Sequence, residues 1–261
     1  MLESARDFRT PCMLDFGAKT SAVMECSEIG GVRVVRLESV DSTQDELRRI
    51  LAKSSAQDSS ANNPALCIIA KSQTKGRGSR GNAWSDEGGL MFSLSYAAPL
   101  RLPDDLPPQS MAIFLGYIIK QILAESGSQV WLKYPNDLYI STEQRVQHMQ
   151  AGARKVGGIL VEKWREVWLC GVGINLRSER FGALDIALDV QEFLSALFLR
   201  LQNPPSWKQI FSNYKLEFCR NYPFAFHAGD EKISLQNAQL LEDGSVRVGD
   251  RVIYNLRDRE V

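Results

Sequence analysis

The chain has 261 residues, 44% of them hydrophobic and 24% charged, which excludes a collagen-like or wholly disordered polypeptide and allows a core without disulfide or metal staples. Its 31 Lys and Arg balance its 31 Asp and Glu, which argues against a general nucleic-acid binder and against a protein held on membranes by charge. The five cysteines, Cys12, Cys26, Cys67, Cys170 and Cys219, are odd in number and never spaced CxxC, so reduced thiols are expected rather than a disulfide scaffold or a zinc ribbon.

Residues 1–28 show no period and read as a variable tail. Acids at Glu3, Asp7 and Asp15 oppose a signal or transit peptide, so the expected location is cytoplasmic. Val32, Val34, Val35 and Leu37 mark a first strand, and Asp41-Ser42-Thr43 offers N-caps for a helix that buries Leu47, Ile50 and Leu51. Residues 54–64 form a loop and 65–70 a buried strand, followed by a glycine-rich loop over 75–81 and a strand over 90–96. The apolar run 111–119 lies in a helix over about 109–126 and is too short for the ~20 residues of a membrane span. Strand pieces at 130–132 and 138–140 flank Tyr134-Pro135-Asn136-Asp137. An inserted polar loop covers 142–153, and a hairpin joins 158–163 to 167–172. Amphipathic helices are expected over 189–201 and 207–218, then short strands after Pro223.

Four segments carry chemistry. In Lys75-Gly76-Arg77-Gly78-Ser79-Arg80-Gly81, glycines alternate with basic or polar residues after a buried strand, and no acid occurs between Ser59 and Ser85. Such a loop suits a phosphate or carboxylate. It is not the Walker pattern. It does match GxGxxG at Gly76, Gly78 and Gly81, but the next acid, Asp86, is too close for a ribose carboxylate. A ligand-free surface loop is the plain alternative. Lys133 to Asp137 can present amide and carboxylate groups or form a simple Asx turn. Lys155 precedes Gly157-Gly158 and a strand, where it can reach an anion or lie solvated. Gly171-Val172-Gly173-Ile174-Asn175 puts glycines where a strand leaves its sheet. His148 and His227 are too few for a histidine metal site.

Together with Ser42-Thr43-Gln44, these segments resemble the biotin protein ligases. Counterparts of the family's Ser-Thr-Asn stretch (with Gln44 for Asn), its GRGRRGxxW loop (ending at Trp84), its KWPND segment (with Tyr134 for Trp), its Kx(G/A)GIL segment and its GxGINx occur in order over 41–176. The resemblance implies an α+β fold: a mixed, largely antiparallel sheet packed with helices, class II synthetase-like, plus a small C-terminal β-barrel. It divides the chain into a tail 1–28, a catalytic domain 29–220 and a terminal β domain 221–261. It implies ATP-dependent activation of biotin to biotinoyl-AMP with Mg²⁺, then transfer to a lysine of a biotin carboxyl carrier domain.

By the same resemblance Lys155 and Arg77 are catalytic, and Ser42, Thr43, Gln44, Gln73, Gly76, Arg77, Lys155, Gly157 and Gly158 bind biotin. Gly76, Arg77, Gly78, Ser79, Arg80, Gly81, Trp84, Asn136, Asp137, Lys155 and Asn175 bind the nucleotide, with Asp137 as a metal contact through ATP-Mg²⁺. Ser79 stands where the family has a second loop arginine, which implies looser retention of the adenylate. Too few residues precede the block for the DNA-binding domain of some relatives, so no nucleic-acid or membrane partner is expected, and monomer and homodimer both stay open. The competing readings are a lipoate or octanoate ligase, whose loop resembles RRxSGGG instead, and a non-catalytic biotin-binding adaptor.

Overall fold

A computed structural model of the chain describes residues 23–57, 64–78, 84, 89–141, 152–178 and 180–254. In chain order the elements are β1 (Val23–Ile29), β2 (Val32–Val40), α1 (Thr43–Gln57), β3 (Leu66–Gln73), β4 (Gly89–Tyr96), α2 (Met111–Glu125), β5 (Trp131–Lys133) and β6 (Asp137–Ser141). They continue with β7 (Ala153–Trp164), β8 (Val167–Asn175), α3 (Val190–Gln202), α4 (Trp207–Glu217), β9 (Ala225–Ala228), β10 (Glu231–Ser234), β11 (Gln239–Leu240), β12 (Val246–Val248) and β13 (Arg251–Ile253). Two compact units share these elements. The first comprises 23–101, 160–173 and 190–202; the second comprises 102–159, 174–189 and the chain from 203 on.

In the first unit the strand order is β1-β2-β3-β4-β8. β2 and β3 run parallel, from Arg33 opposite Leu66 to Val40 opposite Gln73, with α1 as the crossover between them. Val34 and Val35 are both fully buried, as a strand covered on two faces requires. One of its cores packs Leu47, Ile50 and Leu51 of α1 against Val35, Leu37 and Val40 of β2 and Ile68 of β3. Each such side chain contributes about 1.5–3 kcal/mol on burial. Phe193 of α3 meets Phe92 of β4 edge to face.

Strand β1 corrects the reading of 1–28 as a variable tail over its residues 23–28. It pairs antiparallel with β2 through Gly30 and Gly31, whose φ values of 54° and 72° suit the tight hairpin turn. Met24-Glu25 and Glu28 face solvent, so the strand carries no apolar period; the Gly-Gly pair was its only local signal.

In the second unit β7 (its residues up to Ile159), β6 and β5 are antiparallel neighbours. α2 is buried along most of its length, from Met111 to Leu123. α4 begins at a capping box, Ser206 with Gln209, and Asp105 accepts from the backbone N–H groups of Trp207 and Lys208 at 2.9 and 3.0 Å. The terminal region is strand-rich, as expected; its described strands form a two-stranded sheet, β10-β9, and a three-stranded sheet, β11-β12-β13. It is tied to the rest of this unit by Tyr134 Oη donating to the Gly244 carbonyl at 3.2 Å and Trp207 Nε1 to the Glu242 carbonyl at 2.6 Å.

The sheet pairings are thus mixed and mostly antiparallel, in agreement with the expected fold class. Cys26 departs from the expectation of reduced thiols: it is disulfide-bonded. Spacing in sequence could not show a bond formed by tertiary proximity. Cys67, Cys170 and Cys219 are free. Among the described residues no helix is long and apolar enough to cross a membrane.

Candidate functional site

In the first unit a polar cluster forms where β2 runs into α1. Ser42 is the helix N-cap: its carbonyl accepts from the Glu46 N–H at 2.9 Å and its hydroxyl from the Asp45 N–H at 3.4 Å. Thr43, 4% exposed, donates from its backbone N and Oγ1 to Gln73 Oε1 at 2.7 and 3.1 Å, and its hydroxyl bonds Ser93 Oγ at 3.0 Å. Ser93 was missed in the sequence. Its signal was a serine within a largely apolar strand, where it is fully buried, as Ser95 nearly is. Gln44 Nε2 donates to the Leu169 carbonyl at 3.2 Å, and its buried Oε1 has no hydrogen-bond partner among the described residues.

The glycine loop leaves β3 on fixed rungs. Thr74 N donates to the Val40 carbonyl at 2.9 Å, Lys75 N to the Asp41 carbonyl at 2.7 Å, and Trp84 N returns to the Gly76 carbonyl at 2.8 Å. Gly171 and Gly173 of β8 point to one face of the sheet, two residues apart. A Cβ at Gly171 would stand 2.9 Å from Gln44 Oε1, and one at Gly173 would stand 2.6 Å from Trp84 Cε2. The indole therefore lies directly on the Gly173 backbone, a close approach that only glycine permits.

Arg77 does not extend free. Its Nη1 lies 2.7 Å from Asp45 Oδ1 and its Nη2 3.5 Å from Glu162 Oε1. Arg48 joins the same two carboxylates. A second network ties Arg49 to Asp41 and to the fully buried Glu46, and the hydrogen bonds to Asp41 lead the effects that raise Arg49 above its ordinary pKa.

In the second unit the Lys155 ammonium lies 2.6 Å from Asp137 Oδ1, and Lys133 Nζ 3.7 Å from Asp137 Oδ2. Lys133 is 7% exposed and sits over the Tyr139 ring at 6.0 Å. Burial, then the Asp137 charge, push the Tyr139 phenol up to about 12, so it stays neutral at pH 7. Lys155 lies within β7, not ahead of the strand as its sequence suggested. β7 begins at Ala153 and pairs Lys155 with Tyr139 past a register shift at Leu138/Tyr139. Gly158 stands opposite Asp137 and Gly157 opposite Leu138, and a Cβ at Gly158 would lie 3.6 Å from Lys155 Nζ.

The Asn136 amide donates to the Ile159 carbonyl at 2.6 Å and the Asn175 amide to the Gly182 carbonyl at 3.0 Å. Gly182 N in turn donates to the Lys155 carbonyl at 3.0 Å. Both asparagines thus brace the backbone that carries the lysine.

Ser42, Thr43, Gln44, Gln73, Gly76, Arg77, Gly78 and Trp84 therefore fall in the first unit, and Asn136, Asp137, Lys155, Gly157, Gly158 and Asn175 in the second. Ser79, Arg80, Gly81 and the 142–151 part of the expected insertion lie outside the described residues. Among the described residues no group of three or more His, Cys, Asp or Glu could hold a metal ion.

Residues 37–178 match the family model described as the Biotin/lipoate A/B protein ligase family. The crystal structure of biotin acetyl coenzyme A carboxylase synthetase from Helicobacter pylori with bound biotinylated ATP is 35% identical, with a TM-score of 0.73 over 85% of this chain and 98% of that one. Biotin protein ligase from Aquifex aeolicus in complex with biotin and ATP shares the fold at 22% identity and a TM-score of 0.56, over 82% of this chain and 90% of that one. The bifunctional ligase/repressor BirA of Bacillus spizizenii is 25% identical over 183 residues, 69% of this chain and 49% of that protein. The chain spans about half the length of the curated relatives it matches.

Proposed function

The chain belongs to the biotin/lipoate A/B protein ligase family, and from that premise we propose that it is a biotin protein ligase acting in the cytoplasm. In the first step a biotin carboxylate oxygen attacks the α-phosphorus of ATP. Biotinoyl-AMP forms and pyrophosphate leaves. In the second, the neutral amine of a lysine on a biotin carboxyl carrier domain attacks the acyl carbon, AMP leaves, and an amide forms. Residues 29–220 would carry this chemistry, with the small terminal β region following from 221.

The observation that carries the reading is Lys155. Its ammonium rests on Asp137, beside Gly158, where a Cβ would lie 3.5 Å from Asp137 Oδ1 and 3.6 Å from Lys155 Nζ. Two anions cannot approach without a cation at the junction, and one preorganised cation of this kind is worth about 10²–10³ in rate. Lys155 would exchange Asp137 for the biotin carboxylate and α-phosphate oxygens. Ser42, Thr43 and Gln73 carry the dense donor and acceptor set that a ureido head requires, with Gln44 and Gly76 beside them. Gly78, Ser79, Arg80 and Gly81 would supply donors to the bound anion, and Trp84 would pack against the adenylate. Asn136 and Asn175 hold the lysine's backbone on the nucleotide side.

Mg²⁺ supplies charge neutralisation on ATP when bound. Asp137 faces the Lys155 and Lys133 ammonium groups with its two oxygens, so the ion would be held mainly by phosphates and water, and Asp137 would reach it only once Lys155 has turned to the substrate anions. The test is biotin-dependent exchange of labelled pyrophosphate into ATP, with lipoate and octanoate in parallel. Exchange with biotin alone is expected. Exchange with an alkyl acid alone would move the function to lipoylation, and none with any acid would favour the non-catalytic adaptor.

A further inference from the structure

We infer that Asp45, Arg48 and Glu162 are positioning residues that hold the Arg77 guanidinium as the anchor of the glycine loop. The four side chains form a closed ring of alternating charge within the first unit. Asp45 Oδ1 lies 2.7 Å from both Arg48 Nη1 and Arg77 Nη1. Glu162 spends one oxygen on each arginine, Oε1 on Arg77 at 3.5 Å and Oε2 on Arg48 at 2.5 Å. Two cations and two anions cancel, and planar guanidinium forks match this sharing where ammonium groups would not. The four side chains are only 23–30% exposed, so solvent does not screen them as it screens a surface pair.

The ring sits where the loop needs a fixed point. The rungs from Thr74 and Lys75 to Val40 and Asp41 end at Gly76, and Arg77 is the next residue along. Asp45 and Arg48 stand one turn apart on α1, directly after the Ser42–Gln44 cap. If Arg77 swung away to a phosphate, Asp45 and Glu162 would be left sharing one arginine. That would put a net negative charge beside the loop proposed to hold an anion. The arginine is therefore more useful to the loop as its tether than as a contact to substrate.

The kinetic part of the test rests on the biotin-ligase reading; the proteolytic part does not. The full chain is compared with Asp45→Asn, Glu162→Gln, Arg77→Gln, Arg77→Lys and the Glu162→Gln/Arg77→Gln double variant, with thermal unfolding as the control for folding. In the ligand-free protein, trypsin should cut between 75 and 84 several-fold faster in Asp45→Asn and Glu162→Gln than in wild type. In pyrophosphate exchange each single variant should raise KM for ATP about tenfold, the loss expected of one charged hydrogen bond, with kcat within about twofold. Arg77→Lys should recover little, because it keeps the charge and loses the fork. The double variant should be no worse than the poorer single one.

The anchor role is overturned if Glu162→Gln matches wild type in both cleavage and KM while Arg77→Gln loses kcat and Arg77→Lys restores it. If wild type exchanges with no acid, the ligase reading fails and the cleavage rates alone decide the anchor.

Discussion

Replacing Gly173 with alanine tests whether the Trp84 ring belongs to the working site. The new methyl would stand 2.6 Å from Trp84 Cε2, against ordinary contact at 3.4 Å or more, so the indole must move by about 1 Å. It cannot slide away as a whole, because Trp84 N is bonded to the Gly76 carbonyl at 2.8 Å; the ring has to turn. Overpacking of this kind costs about 1–3 kcal/mol. The cost falls first on the stability of the ligand-free protein, in which the ring already has this seat, and it lowers kcat/KM for ATP, by up to roughly a hundredfold, to the extent that the adenylate-bound form depends on the same seat. Gly171→Ala should be milder, since its methyl meets the end of the Gln44 side chain at 2.9 Å. The assay is pyrophosphate exchange for Gly173→Ala, Trp84→Ala and the pair. Removing the ring removes the clash, so the double variant should match Trp84→Ala alone. Wild-type kinetics in Gly173→Ala, or strictly additive losses in the pair, would refute the reasoning.

Lys155→Arg should lose about 10²–10³ of the exchange rate despite keeping its charge, because a planar fork cannot replace a point cation beside Gly158; near-normal exchange would count against the role given to Lys155. Ser79→Arg should slow release of biotinoyl-AMP, read as the adenylate off-rate; an unchanged rate would sink the link between Ser79 and retention. Burial pushes the Cys67 and Cys170 thiols up, so an alkylating reagent near pH 8 should reach Cys219 first and those two only on unfolding, as peptide mass mapping would show. At Asp105 slight burial acts to raise the carboxyl, but the bonds from Lys208 and Trp207 N–H win and lower it from 3.8. A depressed folded value means stability present above the unfolded value and lost as pH falls through the folded one. The Tm gap between wild type and Asp105→Asn should therefore be open at pH 7 and close in acid; a gap constant with pH would refute the assignment.

What the sequence revealed followed from local rules. The 3.6-residue spacing of Leu47, Ile50 and Leu51 revealed α1, although the helix runs on to Gln57, into the stretch read as a loop from 54, and the Pro204-Pro205 stop gave the end of α3 to within a residue or two. The buried runs of β3 and β4 were equally plain. The site segments were legible because they are contiguous, from Ser42-Thr43-Gln44 to Gly171–Asn175. What stayed hidden depends on partners distant in the chain. Glu162 meets Arg77 across 85 residues, and Ser93 meets Thr43 across 50. The strand through Lys155 starts earlier than its apolar residues do, because Ala153 and Arg154 are held by the register with β6 rather than by a hydrophobic face. β1 was hidden for the same reason: backbone pairing to β2, not side-chain burial, makes it a strand.

The interleaving of the two units has a consequence for the nascent chain. Strand β4 finds its neighbour β8 only after the whole of 102–159 has been translated. At roughly 5–20 residues per second, those roughly 60 residues take about 3–12 s to emerge. Through that interval the apolar strand from Gly89 to Tyr96 offers an unpaired edge to any other chain in reach. A ribosome-associated chaperone that shields such edges should therefore raise the soluble yield of this protein, and a chain stopped at residue 101 should aggregate rather than fold.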